Sequence, residues 1–202
     1  MARYIGPKNK LARKIGEDLG LKTNALKIAR RLMVRPGQHG MRGRRKLSDF
    51  GVQLKEKQKI KYIYGILENQ LRRQYDRASK NPAATGSVLL SLLERRLDNM
   101  VYRAGWTTTR AQARQLVGHG HVSVNGKKMD IPSYRTQVDD VIVLSNKAVK
   151  IPYVSDLLKE DNKNVPAWIE RKSGVAKVTR LPVRDDVTET IEEQLVVEYY
   201  SR

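Results

Sequence analysis

The sequence predicts an α+β fold. Helical periodicity fills the stretch from Ser48 to Gly118, strand-like alternation starts at His121, and Asn125-Gly126 folds that first strand back on itself. A chain of 202 residues, 40% hydrophobic, can bury the cores of one or two compact domains and is too short for a large multidomain enzyme.

Residues 1–47 come first, basic and rich in small side chains. "RPGQHGMRGRR" at 35–45 sets Pro36, Gly37, Gly40 and Gly43 among four arginines and buries little apolar surface, so an irregular arm ordered by a partner is expected. Within it, Leu26, Ala29 and Met33 share helical spacing and predict a short helix over 22–33. Ser48 then caps a helix with the stripe Val52, Ile60, Ile63 and Leu67, leaving Lys55, Lys57, Lys59 and Lys61 largely off it. Gly65 marks a break, since glycine costs a helix about 1 kcal/mol relative to alanine. A second helix over 66–79 buries Leu67, Leu71 and Tyr75 and exposes Arg72, Arg73 and Arg77.

A turn-rich linker at 81–87 leads into "SVLLSLLERRLDNMVYRAG", the strongest helix of the chain, with Leu89, Leu92, Leu93, Leu97, Met100, Val101 and Ala104 inward and Gly105 as its stop. Thr108 or Thr109 caps the next helix, which buries Ala113, Leu116 and Val117, carries Arg110 and Arg114 on its outer face, and ends at Gly118. The Asn125-Gly126 hairpin follows, its return strand stopped by Pro132. "DDVIVLS" from Asp139 is a further buried strand, and 167–181 a second hairpin turning at Ser173-Gly174.

Forty lysines and arginines against 21 acids give a net charge of +19, and the charge is uneven. Residues 1–80 hold 22 basic and 6 acidic side chains, residues 81–150 hold 10 and 5, and residues 151–202 hold 8 and 10. Such an excess repels itself until a polyanion relieves it, which makes nucleic acid the leading partner class and an anionic membrane the second. No apolar run approaches the roughly 20 residues of a membrane helix, and "MARY" is not followed by a signal-peptide core, so a soluble intracellular protein is expected. The absence of cysteine excludes disulfides, thiolate metal sites and cysteine nucleophiles.

Catalytic signals are sparse. No phosphate-binding P-loop, G-x-S-x-G, H-E-x-x-H or paired-glycine dinucleotide fingerprint occurs. His119 and His121 flank Gly120 at a spacing that suits a metal on one strand face, but no third strong ligand is near; hydrogen bonding or stacking is the plainer role, and neither a metal nor a small-molecule substrate is expected. Arg96-Leu97-Asp98 is similar to the Arg-Leu-Asp around the catalytic aspartate of some pseudouridine synthases; the alternative is that Asp98 pairs with a basic neighbour one helical turn away. Binding chemistry is richer. Arg110, Arg114, His119, His121 and the Asn125–Lys128 turn offer donors to a phosphate backbone and imidazoles for stacking, while "MRGRRK" at 41–46 suits an irregular or single-stranded backbone. Three readings stand here: a non-catalytic RNA binder, an RNA-modifying enzyme using Asp98, and an architectural DNA-binding protein.

"LERRLDNMVYRAGWTTTRAQARQLVGHGHVSVNGKKMDIPSY" resembles the RNA-binding module named after small-subunit ribosomal protein four. "MARYIGPKNKLARKIG", "RPGQHG", "LSDFGVQLKEKQKIKYIYGILENQLRRQYDRA" and "EEQLVVEYYSR" extend the resemblance to the bacterial family of that protein along nearly the whole chain. It implies a basic arm over 1–47, an all-helical domain over 48–92 completed by 183–202, and between them, over 93–182, an inserted α/β RNA-binding module of small helices on a mainly antiparallel sheet. It implies no enzyme activity and no cofactor, but a primary binder of small-subunit rRNA at a 5′-domain helix junction. Assembly of the subunit body, translational accuracy, contact with ribosomal protein five and, in some members, repression of their own operon belong to the same family picture, as does a cytoplasmic location in the ribosome.

The positions expected to touch rRNA are Arg3, Tyr4, Lys8, Lys10, Arg13, Lys55, Lys57, Lys61, Arg72, Arg73, Arg110, Arg114, Gln115, His119, His121, Asn125, Lys127, Ser133 and Tyr134. Arg42, Arg44, Arg45 and Lys46 fall in the loop that, by the resemblance, lines the channel through which mRNA enters. Two departures stand out. Asn9 and Ala12 occupy positions where many relatives carry zinc-binding cysteines, and Asp139-Asp140 replaces a frequent Gly-Asp, which leaves the turn conformation there open.

Overall fold

The computed structural model describes residues 3–42, 46–159 and 165–202. The chain divides into two compact units, Met1–Leu89 with Glu189–Arg202, and Leu90–Thr188.

The first unit is helical: α1 (Lys8–Ile15), α2 (Ala25–Ala29), α3 (Asp49–Ile63), α4 (Glu68–Ala78), the start of α5 (Thr85–Glu94), and, in chain order the last helix, α10 (Glu193–Tyr200). Ser48 caps α3 as expected, its Oγ accepting from the Gly51 N–H at 3.3 Å. Gly65, at φ 61°, separates α3 from α4. α10 packs along α3, burying Val196, and sets Tyr199 and Tyr200 beside Phe50 and Tyr75. Three expectations need correction. The helix anticipated over 22–33 shrinks to five residues, and Ile28 is its buried side chain while Leu26 and Met33 are exposed, because α2 is too short to sustain a stripe. Val52 and Leu67 lie at the surface rather than in the stripe. Lys57 and Lys59 are buried rather than off the core face, since Glu68 and Glu17 meet their ammonium groups.

The second unit holds α6 (Leu97–Arg103), α7 (Arg110–Gly118), β1 (Val122–Val124), β2 (Lys127–Lys128), β3 (Val141–Leu144), α8 (Asn146–Val149), α9 (Pro152–Lys159), β4 (Ile169–Lys172) and β5 (Val175–Val178). The strands form one antiparallel sheet in the order β2-β1-β3-β5-β4. Its core-facing residues alternate with exposed ones, as the period-2 pattern requires, and Ile142, Ala176 and Val178 join Leu97, Met100, Trp106, Leu116 and Trp168 in one buried cluster. The single long helix expected over 87–104 is two, α5 and α6, broken at Arg95-Arg96. There the Leu97 N–H donates to the Tyr134 carbonyl at 2.8 Å and the Thr136 N–H to the Arg95 carbonyl at 2.8 Å. The return strand β2 ends at Lys128, well before Pro132.

Candidate nucleic-acid interface

α7 begins on Thr109, whose Oγ accepts from the Gln112 N–H at 3.3 Å, and closes as a Schellman motif. The Gly120 N–H donates to the Val117 carbonyl at 2.8 Å and the His121 N–H to the Leu116 carbonyl at 3.1 Å. Gly120, at φ 69°, is therefore the stop; Gly118, the expected one, is still helical. A Cβ on Gly120 would run into the Lys128 side chain, so glycine lets the Lys128 stem cross the helix end. The turn between β1 and β2 places Asn125 at φ 50° and Gly126 at φ 78°, the type I′ geometry that an Asn-Gly pair favours. Glycine stop and tight hairpin together gather His119, His121 and Lys128 at one corner, with the imidazole centroids 6.2 Å apart and tilted. His119, Gln115, Lys127 and Lys128 are exposed, while His121 is half-buried with Nδ1 3.5 Å from Ser145 Oγ. The Asn125–Lys128 turn anticipated Lys128 as a donor; its passage across the helix end at Gly120 was not anticipated.

Arg110 and Arg114 do not lie on an outer face. Both are half-buried: Arg110 Nε donates to Asn99 Oδ1 at 2.7 Å with its guanidinium 4.4 Å above the Tyr102 ring, and Arg114 Nη1 sits 3.2 Å from Asp98 Oδ2. α6, packed against α7, presents these acceptors, and a buried carboxylate demands cations. Asp98 also takes a two-pronged pair from Arg96, at 3.0 and 2.7 Å, so both of its oxygens are held. That geometry suits a structural anion and removes the motif's appeal as a pseudouridine synthase nucleophile. Glu94, wholly buried, is gripped by Arg103 at 2.8 Å on each oxygen, and Asn99 bridges it to Arg110. Asn125 is likewise occupied: its amide donates to Asp140 Oδ1 at 2.8 Å and accepts from the Val141 N–H at 2.9 Å. Ser133 and Tyr134 are half-buried.

In the helical unit, Lys55 pairs with Glu17 at 3.3 Å, and Lys57 and Lys61 with Glu68 at 2.7 and 2.9 Å. Arg72, Arg73 and Arg77 are exposed along α4 with no ion pair among the described residues. Arg3, Tyr4 and Lys10 are exposed; Arg13 spends Nε and Nη2 on the Val34 and Arg35 carbonyls at 2.8 and 3.0 Å. Burial, then the charges of Arg3 and Lys22, push the Lys8 ammonium below its ordinary pKa. Arg42 and Lys46 are exposed, and Arg44 and Arg45 lie outside the described residues. Asn9, Ala12, Arg13, Lys27 and Arg31 line one cavity, a donor set with no thiolate, imidazole or carboxylate and with three cations, so it does not fit zinc. No cluster of three metal-ligating side chains occurs among the described residues.

Residues 3–94 match the Ribosomal protein S4/S9 N-terminal domain and residues 95–142 the S4 domain. Along its whole length the chain is 48% identical to the small ribosomal subunit protein uS4 of Chloroflexus aurantiacus, over 208 residues that cover all of both chains. It is 49% identical over 213 residues to that of Herpetosiphon aurantiacus and 48% over 209 to that of Dictyoglomus thermophilum, again end to end. The chain belongs to the uS4 family. That family is structural rather than enzymatic, which rests the second of the three readings on nothing but a three-residue likeness. Its second unit begins near the boundary between the two matched uS4-family domains, at Leu90 against residue 95. No helix among the described residues is long and apolar enough to cross a membrane.

Proposed function

We propose that the chain is a structural, RNA-binding constituent of the small ribosomal subunit that docks on the 5′-domain junction of the small-subunit rRNA and helps the subunit body to assemble. The observation that carries this reading is the end-to-end identity of about 48% to uS4 proteins in a chain of net charge +19. The cations divide by task. Arg96 and Arg114 neutralise Asp98, Arg103 neutralises Glu94, and Arg110 donates to the Asn99 amide oxygen, and together they fix the shape of the module. RNA phosphates are met by exposed groups: Arg72, Arg73 and Arg77 on α4, His119, Lys127 and Lys128 at the helix-hairpin corner, and Arg3 and Lys10 in the arm, together with the half-buried Lys8. Folded RNA is recognised mostly by shape and backbone, which a rigid corner bearing imidazoles and amines suits. Arg42, Arg44, Arg45 and Lys46 serve the channel by which mRNA enters. Contact with ribosomal protein five, influence on decoding accuracy and autogenous repression complete the reading on the strength of the family resemblance.

The test is binding to a 5′-domain rRNA fragment against a scrambled RNA of equal length, from low to physiological salt. Preference for the native fragment that survives physiological salt is the expected result; equal binding lost with salt would reduce the protein to a nonspecific polyanion binder.

A further inference from the structure

We propose that the cavity between α1 and the α2 segment is a seat for a single phosphate group, and that in the RNA-bound protein one phosphodiester occupies it; this second step rests on the function proposed above. The cavity holds about 150 Å³. That is more than the roughly 10–15 Å³ that one water needs on the same measure of volume and less than the roughly 300 Å³ at which small-molecule sites begin, so a small tetrahedral oxyanion fits.

Its floor is apolar, formed by the buried Ala12 and Ile28. Its polar groups are Asn9 and Arg13, one turn apart on α1, and Lys27 and Arg31 opposite. No carboxylate lines it, and Lys27 and Arg31 have no ion pair among the described residues. Arg13 is clamped through Nε and Nη2 to the Val34 and Arg35 carbonyls, which orders the guanidinium before any ligand arrives. Three cations around a small concave apolar floor repel one another until an anion sits among them, and the low-dielectric floor strengthens that attraction. Lys8, next to Asn9, is acted on by the charges of Arg3 and Lys22.

The experiment uses the full chain and inorganic phosphate as the probe. Backbone amide NMR signals are followed during a phosphate titration at constant ionic strength held with chloride. Saturable shifts confined to residues 9–13 and 27–32 are expected. Lys27→Gln with Arg31→Gln, both at exposed side chains, is expected to weaken phosphate by at least about tenfold, as loss of two charge-assisted hydrogen bonds implies. Arg72→Gln with Arg73→Gln is expected to leave the pocket shifts unchanged. The same Lys27 and Arg31 variant, titrated with the 5′-domain fragment, should lower the log-log salt slope by about one. Nonsaturating shifts spread over the basic surface, or unchanged phosphate affinity in the Lys27 and Arg31 variant, would overturn the site. Native-fragment preference without phosphate binding sinks the pocket and leaves the functional reading intact; phosphate saturation without fragment preference does the reverse.

Discussion

Asp139 sits at φ 68°, a left-handed backbone that glycine adopts freely and a side chain enters at a cost of about 1 kcal/mol. Its carboxylate reaches Lys177 Nζ at 2.9 Å across the sheet, an exposed pair that salt will screen. In about 0.5 M NaCl, Asp139→Gly is therefore expected to raise the thermal midpoint by about 2 °C, and Asp139→Val, β-branched, to lower it by more than that. Calorimetric scans of the three proteins check the order; a valine variant as stable as wild type would deny the strain. Sequence left this turn open because aspartate tolerates both left- and right-handed backbone, whereas Asn125-Gly126 was legible because both residues favour positive φ. Arg110 and Arg114 show the opposite limit. Their spacing on α7 was readable, but their acceptors, Asn99 and Asp98, sit on another helix, and no local period encodes which face that helix covers.

Between elements, the Glu68 carboxylate ties three helices: it accepts from Lys57 and Lys61 of α3 and from the Tyr200 hydroxyl of α10 at 2.9 Å. Burial alone raises its pKa, but the hydrogen bonds from Lys57, Lys61 and Tyr200 and the Lys57 charge outweigh it, and the net shift is downward. A depressed folded-state pKa contributes stability that is present above the unfolded value, about 4.3, and lost as pH falls through the folded one. Glu68→Gln should then cost up to about 1 kcal/mol at pH 7, limited by the exposure of the pair, and progressively less below about pH 4. Urea midpoints of both proteins at pH 7 and pH 3 test this, and a difference that widens toward acid would contradict it. Helix existence was legible for α3 and α7 from their caps and apolar positions, and for α4 from the Gly65 break and the Leu71–Tyr75 spacing. The break between α5 and α6 was not, because Leu93 and Leu97 keep helical spacing across it. Long-range hydrogen bonds from 134–136 replace the helical ones at that point, and nothing near residue 95 encodes them.

At the scale of the whole molecule, the charge of +19 is only partly available to a ligand. Lys57 and Lys59 are buried against Glu68 and Glu17, and Arg96 and Arg103 against Asp98 and Glu94, so they hold the protein together. α4 is different: Arg72, Arg73 and Arg77 face solvent and have no ion pair among the described residues. Replacing all three with glutamine should leave stability within about 0.5 kcal/mol, since exposed side chains away from caps and cores matter little. Each phosphate contact removed releases about one fewer counterion, so the log-log salt slope for binding the 5′-domain fragment should fall by about two to three, with affinity dropping most at low salt. The comparison that isolates this is Arg110→Gln with Arg114→Gln, which removes the half-buried partners of the buried Asn99 and Asp98 and should lower the unfolding midpoint. If the α4 variant keeps the wild-type slope while the Arg110 and Arg114 variant, still folded at the assay temperature, loses it, then the RNA is held by α7 rather than α4, and the division between structural and binding cations must be redrawn.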